Sequence, residues 1–254
     1  MNLLLSDLDR TLTGLHEPLP PDRAAFIESL IDAGVVVAVV TGSSVRDLTT
    51  RFGAVIAPRH RGRMLLYANG GGSGFRLDAD LHAHYLYDHS AEFAPHRPTV
   101  HAAVRSLGTA VTVEDRESQV TVALPGLEHR RPAVVGALSN ALPELLVRAA
   151  GRKSIDITLP KSTKATAARD VAARLGGTSR VVIAGDAFGD GEADTDLLQR
   201  EFRGATVFCA GTTYPSAEGF PVVRADTPGP DATFRFLRKH FHTLQGEEHT
   251  TCPS

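Results

Sequence analysis

Cysteine is scarce in this chain, and two other features that mark special classes of protein are missing. Cys209 and Cys252 are the only cysteines and form no CxxC pattern, which argues against a disulfide framework or a zinc site and favours a reducing compartment. No apolar run approaches the roughly 20 residues of a membrane-spanning helix. The formal net charge is −2, with acids and bases interspersed, so bulk charge indicates neither a nucleic-acid partner nor an anionic membrane.

The sequence also shows no targeting signal and no repetition. Its N-terminus has no basic region followed by a long apolar segment, and neither internal repeats nor low-complexity linkers occur. Hydrophobic residues make up 42% and charged residues 22% of the 254 residues, which is ordinary for a globular protein with a core. We therefore expect a soluble cytoplasmic protein, a monomer or small homo-oligomer, with one large or two modest domains.

Strand-like and helix-like segments alternate at the start of the chain. Residues 2–6 predict a short buried strand, and the β-branched run VVVAVV (35–40) predicts a strand that is covered on both faces. Between them, PPDRAAFIESLIDAG predicts a helix that begins at two prolines and ends at Gly34. A further helix is predicted from Val45. This order favours a parallel sheet with right-handed crossovers.

The middle of the chain has a different character from its two ends. Residues 110–126 show two short β-like runs around a charged turn, residues 130–150 predict a helix, and residues 154–160 alternate like a strand. We therefore predict an α/β fold, with a doubly wound, parallel, Rossmann-like core and an inserted α+β cap. The predicted core comprises residues 1–80 and 160–246, the cap residues 81–159, and a flexible tail residues 247–254.

Polar residues follow the predicted strands at the edge where open α/β sheets bind ligands, outside the carboxyl ends of the strands. They are Asp7 and Asp9 after the first strand, Thr41 after the second, Lys164 at the start of a helix, and Asp186 with Asp190 after the strand VVIAG. One such group alone is a weak signal, because strand ends are often polar. Four groups in this order predict phosphoryl-transfer chemistry.

Phosphoryl transfer explains the type of each residue. A carboxylate such as Asp7 can attack the phosphoryl group, and a second one, Asp9, can protonate the leaving group and later deprotonate a water. Anions that face an anionic phosphate require positive charge, which Mg²⁺ held by carboxylates including Asp186 supplies. Thr41 offers a hydroxyl to a phosphate oxygen. The ammonium of Lys164 lies near a predicted helix N-terminus, where the helix dipole disfavours positive charge unless an anion is bound there.

Four motifs together resemble those of the haloacid dehalogenase superfamily of phosphatases. They are DLDRT (7–11), VVTGS (39–43), PKSTKA (160–165) and GDAFGD (185–190). The insert between the second and third motifs is similar to the C2 cap of subfamily IIB, which includes sugar-phosphate, trehalose-phosphate and sucrose-phosphate phosphatases. The resemblance implies that Asp7 is the nucleophile and Asp9 the acid/base.

The same resemblance implies the ligands of the metal and of the substrate. The implied Mg²⁺ ligands are Asp7, Asp9, Asp186 and Asp190. The implied substrate-binding residues are Thr41, Gly42, Asn69 and Lys164, of which Thr41 and Lys164 also hold the phosphate during catalysis. Asn69 lies in LYANGGG, which resembles the Asn-Gly element that follows the third core strand of that subgroup.

Three positions remain open at the level of sequence. Arg10 stands where the family most often has glycine, and it either contacts the phosphate or faces solvent. The segment GDGEAD (189–194) overlaps the fourth motif, so Asp194 is an alternative to Asp190. Lys161, three residues before Lys164, is an alternative lysine.

We expect an enzyme of the phosphoric monoester hydrolase type that cleaves a sugar or sugar-like phosphate with Mg²⁺ through an aspartyl-phosphate. The alternatives are a phosphosugar mutase, a phosphoglycolate-type phosphatase and, less favoured, a non-catalytic binding protein of the same fold. The expected partner is a small phosphorylated carbohydrate, and neither nucleic acid nor a membrane.

Two further motifs favour ordinary structural roles. GGGSG (70–74) lacks the spacing of a dinucleotide-binding loop and predicts a flexible turn. The histidines of HAHYLYDH (82–89) are expected at the surface, which is favoured over a metal cluster.

Overall fold

The computed structural model describes all residues except 109–110, 151–152, 179, 190–191, 215–217 and 247–254, so the predicted tail lies outside the described residues. In chain order the strands are β1 (Asn2–Ser6), β2 (Val35–Val40), β3 (Leu65–Ala68), β4 (Ser73–Leu77), β5 (Ala83–Asp88), β6 (Thr112–Arg116), β7 (Gln119–Ala123), β8 (Leu146–Ala150), β9 (Ser154–Thr158), β10 (Arg180–Ala187), β11 (Thr206–Thr213) and β12 (Val222–Arg224). The helices are α1 (Pro21–Asp32), α2 (Val45–Arg51), α3 (Pro58–Arg61), α4 (Ser90–Phe93), α5 (Arg97–Ser106), α6 (Arg131–Ala141), α7 (Lys164–Leu175) and α8 (Pro230–Gly246).

The larger sheet has the strand order β12-β11-β10-β1-β2-β3-β4-β5. The strands from β12 to β3 pair in parallel, whereas β4 and β5 add to the edge in antiparallel orientation. Strand β1 lies in the middle, with Leu5 opposite Ile183 of β10 on one side and opposite Ala38 of β2 on the other. The carboxyl ends of β10, β1 and β2 therefore lie side by side, as the sequence predicts.

Two apolar layers cover the two faces of this sheet. Successive side chains of a strand point to opposite faces, and the fully buried Leu3, Leu4 and Leu5 divide accordingly. Leu4 belongs to the layer that contains Ile27 of α1, and Leu3 and Leu5 belong to the layer that contains Val171 of α7. Helices on both faces confirm the predicted doubly wound core and explain why the strands are apolar throughout.

The smaller sheet is antiparallel, with the order β6-β7-β9-β8. Its buried side chains, such as Val120 and Ile157, form a separate apolar cluster with Val104 of α5 and Leu138 of α6. A sheet with helices on one face and its own core is the α+β module that the sequence predicts.

Two details differ from the sequence predictions. Strand β5 pairs with β4 in the larger sheet, so residues 83–88 are not part of the smaller sheet, although the predicted cap begins at residue 81. The remainder of the predicted domain division stays a prediction. The predicted helix over 130–150 ends at Ala141, and β8 follows. The cause lies in Pro143, which disfavours helical backbone at Leu142 and cannot donate a helical hydrogen bond.

None of the helices in the described parts of the chain has both the length and the apolar character that crossing a bilayer requires.

Candidate active site

The site begins at the ends of three neighbouring strands. Asp7 follows β1 directly, and its backbone N–H donates to the carbonyl of Ala184 in β10 at 2.9 Å, so the pairing of the sheet fixes its position. Thr41 follows β2 and is held in the same way by the carbonyl of Tyr67 at 2.9 Å. Asp186 is the second-to-last residue of β10. The parallel sheet therefore brings these three predicted residues to one edge.

Three carboxylates gather there. One oxygen from each of Asp7, Asp186 and Asp194 lies within 4.8 Å of the others. Asp194 belongs to the short turn after β10, and its Oδ2 accepts hydrogen bonds from the backbone N–H groups of Asp186 at 3.0 Å and Ala187 at 2.9 Å. The chain thus folds back onto the strand end. Asp194, the alternative at the sequence level, contributes the third carboxylate, whereas Asp190 lies outside the described residues and stays a prediction.

Lys164 supplies the positive charge of this cluster. It is the first residue of α7, and the side chain of Thr163 caps that helix by accepting a hydrogen bond from the N–H of Thr166. Its Nζ lies 2.5 Å from Oδ1 of Asp7 and 2.6 Å from Oδ1 of Asp194, and its side chain is 6% exposed. Lys161 pairs with Glu92 on the surface instead. Lys164 is therefore the lysine of the site.

The electrostatics of the cluster follow from burial and crowding. Burial raises the pKa of Asp7 well above its usual value, against the attraction of Lys164, and the carboxylates of Asp194 and Asp186 raise it further. Burial and the charge of Asp194 likewise raise the pKa of Asp186 to about 6. Burial opposes the charge of Lys164, but Asp194 and Asp7 outweigh it and raise its pKa, so the ammonium stays charged. Three carboxyl groups share one lysine, which favours the binding of a further cation.

The carboxylate of Asp9, which was predicted to be a metal ligand, faces Arg51 and not the other carboxylates. Arg51, at the end of α2, donates to both of its carboxylate oxygens at 2.7 and 3.1 Å, and the hydroxyl of Ser43 and the N–H of His16 donate as well. Because the guanidinium matches the carboxylate in shape and charge, Asp9 turns to Arg51 and is not a member of the acidic group. Burial would raise its pKa, but the hydrogen bonds from Arg51 and His16 outweigh burial and lower it. The sequence holds no signal for Arg51.

The predicted substrate-binding residues lie where the smaller sheet contacts the core. Thr41 is buried, and its Oγ1 accepts a hydrogen bond from the N–H of Ser43 at 3.1 Å. The carbonyl of Gly42 accepts one from Arg116 of β6. Asn69 donates through Nδ2 to Oε2 of Glu117 at 3.0 Å. Arg116 and Glu117 belong to the segment around β6, and the sequence pattern did not single them out as site residues.

Several polar atoms at the junction are buried without a hydrogen-bond partner among the described residues. They are Oδ1 of Asn69, Oγ of Ser118 and Oε1 of Gln119, and all three residues are fully buried. Ser118 and Gln119 lie directly against the glycine turn that follows Asn69, since methyl groups added at Gly72 and Gly70 would lie 2.1 and 3.6 Å from their oxygens. Unsatisfied buried oxygens are costly, and a polar ligand that donates to them removes that cost.

Arg10 and two of the histidines in residues 82–89 lie at the surface. Arg10 has a φ of 61°, its side chain is 43% exposed, and its Nη1 lies 3.9 Å from Oδ2 of Asp186, so it stands at the edge of the acidic group. His82 and His84 are exposed, and each contacts Oδ2 of Asp78 at 3.2 Å. Within the described residues, these histidines are not part of a preformed group of metal ligands.

Comparison with known proteins gives a result for the fold and none for the sequence. No protein-family model matches the chain, and no curated protein matches it. The C-terminal domain of trehalose-6-phosphate phosphatase from C. albicans matches with a TM-score of 0.72 and 13% identity, over 94% of this chain and 91% of that one. Sucrose-phosphatase from Synechocystis sp. PCC6803, solved with sucrose and phosphate, matches with a TM-score of 0.61 and 18% identity, over 95% and 98%.

A third similar structure has a longer chain. The N-terminally truncated, IMP-bound IMP-nucleotidase of Plasmodium falciparum matches with a TM-score of 0.65 and 10% identity, over 95% of this chain and 68% of that one. At such identities the similarity establishes the fold alone. It confirms the predicted fold, a parallel α/β core with an inserted α+β module.

Proposed function

We propose that this protein is a Mg²⁺-dependent phosphomonoesterase that hydrolyses a sugar or sugar-like phosphate through an aspartyl-phosphate intermediate. The observation that carries the proposal is the buried cluster of Asp7, Lys164, Asp186 and Asp194 at the carboxyl end of a parallel sheet. The similar structures include phosphatases named for trehalose 6-phosphate and sucrose, and a nucleotidase, which supports a phosphate monoester as the substrate.

The acidic group fits Mg²⁺ in its chemistry. Asp7, Asp186 and Asp194 offer only oxygen atoms, which is the donor type that this ion prefers, and they would hold it. When bound, Mg²⁺ supplies positive charge that permits an anionic nucleophile to approach an anionic phosphate. Asp9 is held by Arg51 and is not one of these three donors.

The proposed reaction has two steps. An oxygen of Asp7 attacks phosphorus, the bond from phosphorus to the alcohol oxygen breaks, and that oxygen takes up a proton. Water then attacks phosphorus, which restores Asp7 and releases inorganic phosphate. Lys164 balances the charge of Asp7 in both steps, and the hydroxyl of Thr41 is a donor for a phosphate oxygen.

Asp9 is the proposed carrier of the proton. Its contacts with Arg51 keep the carboxylate ionised, and an ionised carboxylate is the form that accepts a proton from the attacking water. Donation of a proton to the alcohol in the first step requires that Arg51 first release the carboxylate. The ion pair therefore has to open once in each catalytic cycle.

The polar junction between core and cap supports a substrate that carries hydroxyl groups. The unpartnered oxygens of Asn69, Ser118 and Gln119 accept hydrogen bonds, and a hydroxyl-rich alcohol donates them. A site built to bond hydroxyl groups discriminates strongly against analogues that lack them. The cytoplasm is the proposed setting, on the cysteine usage described above.

Phosphate release from a panel of sugar, disaccharide and glycolytic phosphates, with and without Mg²⁺, tests the proposal. We expect release that requires Mg²⁺ and needs no bisphosphate activator, which separates a hydrolase from a mutase. Asp7→Asn should abolish turnover, and Asp22→Asn, whose side chain is 71% exposed, is the matched control that should retain it. Turnover by Asp7→Asn, or no release from any compound, would contradict the proposal.

A further inference from the structure

The smaller sheet turns a polar face to the core. Its apolar side chains pack against α5 and α6, and successive side chains of a strand point to opposite faces. Gln119 and Thr121 of β7 share the other face, where Thr121 lies opposite Asp156 of β9. A methyl group added at Gly70 of the core would lie 3.6 Å from Oε1 of Gln119, and one added at Gly42 would lie 3.9 Å from Oδ2 of Asp156. This polar face therefore meets the core beside the proposed phosphate site.

A relay of hydrogen bonds fixes the amide group of Gln119. The hydroxyl of Thr121 donates to Oδ1 of Asp156 at 2.8 Å, and Nε2 of Gln119 donates to Oγ1 of Thr121 at 2.7 Å. Because an ionised carboxylate only accepts hydrogen bonds, the hydroxyl proton of Thr121 points at Asp156 and its oxygen accepts from the amide. Oε1 of Gln119 is thereby left outside the relay. It is fully buried and has no donor among the described residues.

A second relay of the same chemistry fixes the amide group of Asn69 in the core. The hydroxyl of Ser73 donates to Oδ1 of Asp88 at 2.8 Å. Nδ2 of Asn69 donates to Oγ of Ser73 at 3.5 Å and, at 3.0 Å, to Oε2 of Glu117 between β6 and β7. Oδ1 of Asn69 is therefore also left as a buried acceptor without a donor in the described parts of the chain. One amide from each side of the junction thus presents its oxygen and not its nitrogen.

We propose that Gln119 and Asn69 are specificity-determining residues, which require the leaving alcohol to donate hydrogen bonds. Asp156 and Thr121 are positioning residues that fix this requirement for Gln119. A hydroxyl group donates to a carbonyl oxygen, whereas a fluorine atom has no hydrogen to donate. An analogue without the donor leaves a buried oxygen unsatisfied, and the site discriminates against it.

Both amides are fully buried, so the smaller sheet and the core part as the alcohol enters between them. The inference rests on the proposed function and specifies the hydrogen-bond polarity with which the alcohol is recognised.

Analogues that differ only in hydrogen-bond donation test this polarity. The parent compound is glucose 6-phosphate, or another hexose phosphate of the panel if its kcat/KM is higher. At each ring hydroxyl the parent is compared with its deoxy analogue and with its deoxyfluoro analogue, which accepts but does not donate. We expect the kcat/KM of the parent to exceed that of the deoxyfluoro analogue about tenfold or more at one position at least. At that position the deoxyfluoro analogue should not exceed the deoxy analogue.

The rates are initial rates of phosphate release with Mg²⁺ at pH 8. Burial raises the pKa of Asp156, and the guanidinium groups of Arg116 and Arg148 oppose that rise. A pH well above the usual carboxyl range therefore favours the ionised form on which the relay depends.

Variants of the relay separate positioning from a structural role. Asparagine both donates and accepts, so in Asp156→Asn the hydroxyl of Thr121 can reverse and the amide of Gln119 is no longer held in one sense. We expect the ratio of parent to deoxyfluoro analogue to fall towards one, and Thr121→Val, which breaks the relay, should have the same effect. Thr121→Ser keeps the hydroxyl and should retain the wild-type ratio. Asp80→Asn, at an exposed residue of the turn between β4 and β5, is the matched control that should retain it too.

The possible failures are distinguishable, because each ratio is taken within one variant and partial misfolding lowers both rates equally. Equal hydrolysis of parent and deoxyfluoro analogue at every position, or hydrolysis confined to phosphates without hydroxyl groups, would overturn this inference and leave the phosphomonoesterase chemistry standing. A wild-type ratio in Asp156→Asn or Thr121→Val, or a lost ratio in Thr121→Ser, would overturn the positioning roles. No phosphate release from any member of the panel would overturn the proposed function, and the inference with it.

Discussion

Replacement of Lys164 by methionine is the sharpest physical test of the candidate site. The substitution keeps an unbranched side chain and removes the ammonium that lies 2.5 Å from Asp7 and 2.6 Å from Asp194. Those two side chains are 8% and 1% exposed, so water does not replace the lost cation. Removing one partner of a buried ion pair costs about 3–5 kcal/mol. We expect Lys164→Met to lower the free energy of unfolding by that amount at pH 8.

The loss should depend on pH in a defined direction. Burial and the neighbouring carboxylates raise the folded-state pKa of Asp7 above that of the unfolded chain, and loss of the ammonium removes the attraction that opposes them, so the folded variant binds more protons than its unfolded chain. The free energy of unfolding of the variant therefore falls as pH rises, and the difference from wild type should be smaller at pH 5 than at pH 8. Mg²⁺ added at pH 8 should also reduce the difference, because it binds the folded state.

Urea denaturation, followed by circular dichroism in the presence of a chelator, measures these quantities. Lys161→Met is the matched control, since Lys161 and Glu92 are 49% and 57% exposed and such pairs contribute less than about 1 kcal/mol. An unfolding midpoint of Lys164→Met equal to that of wild type at pH 8 would refute the reasoning. An equal loss at both pH values would refute it too.

The remaining predictions concern the backbone and a surface cluster. Gly211→Ala should weaken Mg²⁺ binding measured by calorimetry, because the new methyl would lie 1.8 Å from the carbonyl oxygen of Asp186 and would displace that strand end. Gly136→Ala is the control: it lies within α6 with open space around it, and should raise the free energy of unfolding by about 0.5–1 kcal/mol. Hydrogen bonds, the backbone N–H of His82 foremost, lower the pKa of Asp78 from 3.8 to about 2. Asp78 thus stabilises the fold above pH 3.8, and this stability is lost as pH falls towards 2; in denaturation series, Asp78→Asn should flatten that decline.

The site positions that follow most directly from the sequence are those that depend on a single strand or helix. Asp7 and Thr41 directly follow apolar strands, and the carboxyl ends of parallel strands lie at the same edge of the sheet. Lys164 follows from a helix start with Thr163 as its cap. In each case the local pattern determines the element, and the element determines where the side chain lies.

The parts that the sequence left open or missed depend on contacts between separate segments. Asp194, which the sequence left as the alternative to Asp190, joins the acidic group because its segment folds back and accepts hydrogen bonds from the backbone N–H groups of Asp186 and Ala187. The pairing of Asp9 with Arg51 joins residues 42 positions apart. Strand β5 joins the larger sheet because an edge is open to it beside β4, whereas its sequence alone is compatible with either sheet.

By itself, the sequence of this protein determined the alternation of strands and helices, the order of the polar motifs, and the presence of an inserted module. These depend on periodicity and on turn residues, which are local. Only the tertiary structure decided that Asp194 lies beside Asp7 and Asp186, and that Arg51 holds Asp9. Those outcomes depend on how separate segments pack, since the charge and hydrogen bonds of one segment are satisfied by atoms that another segment brings within 3 Å.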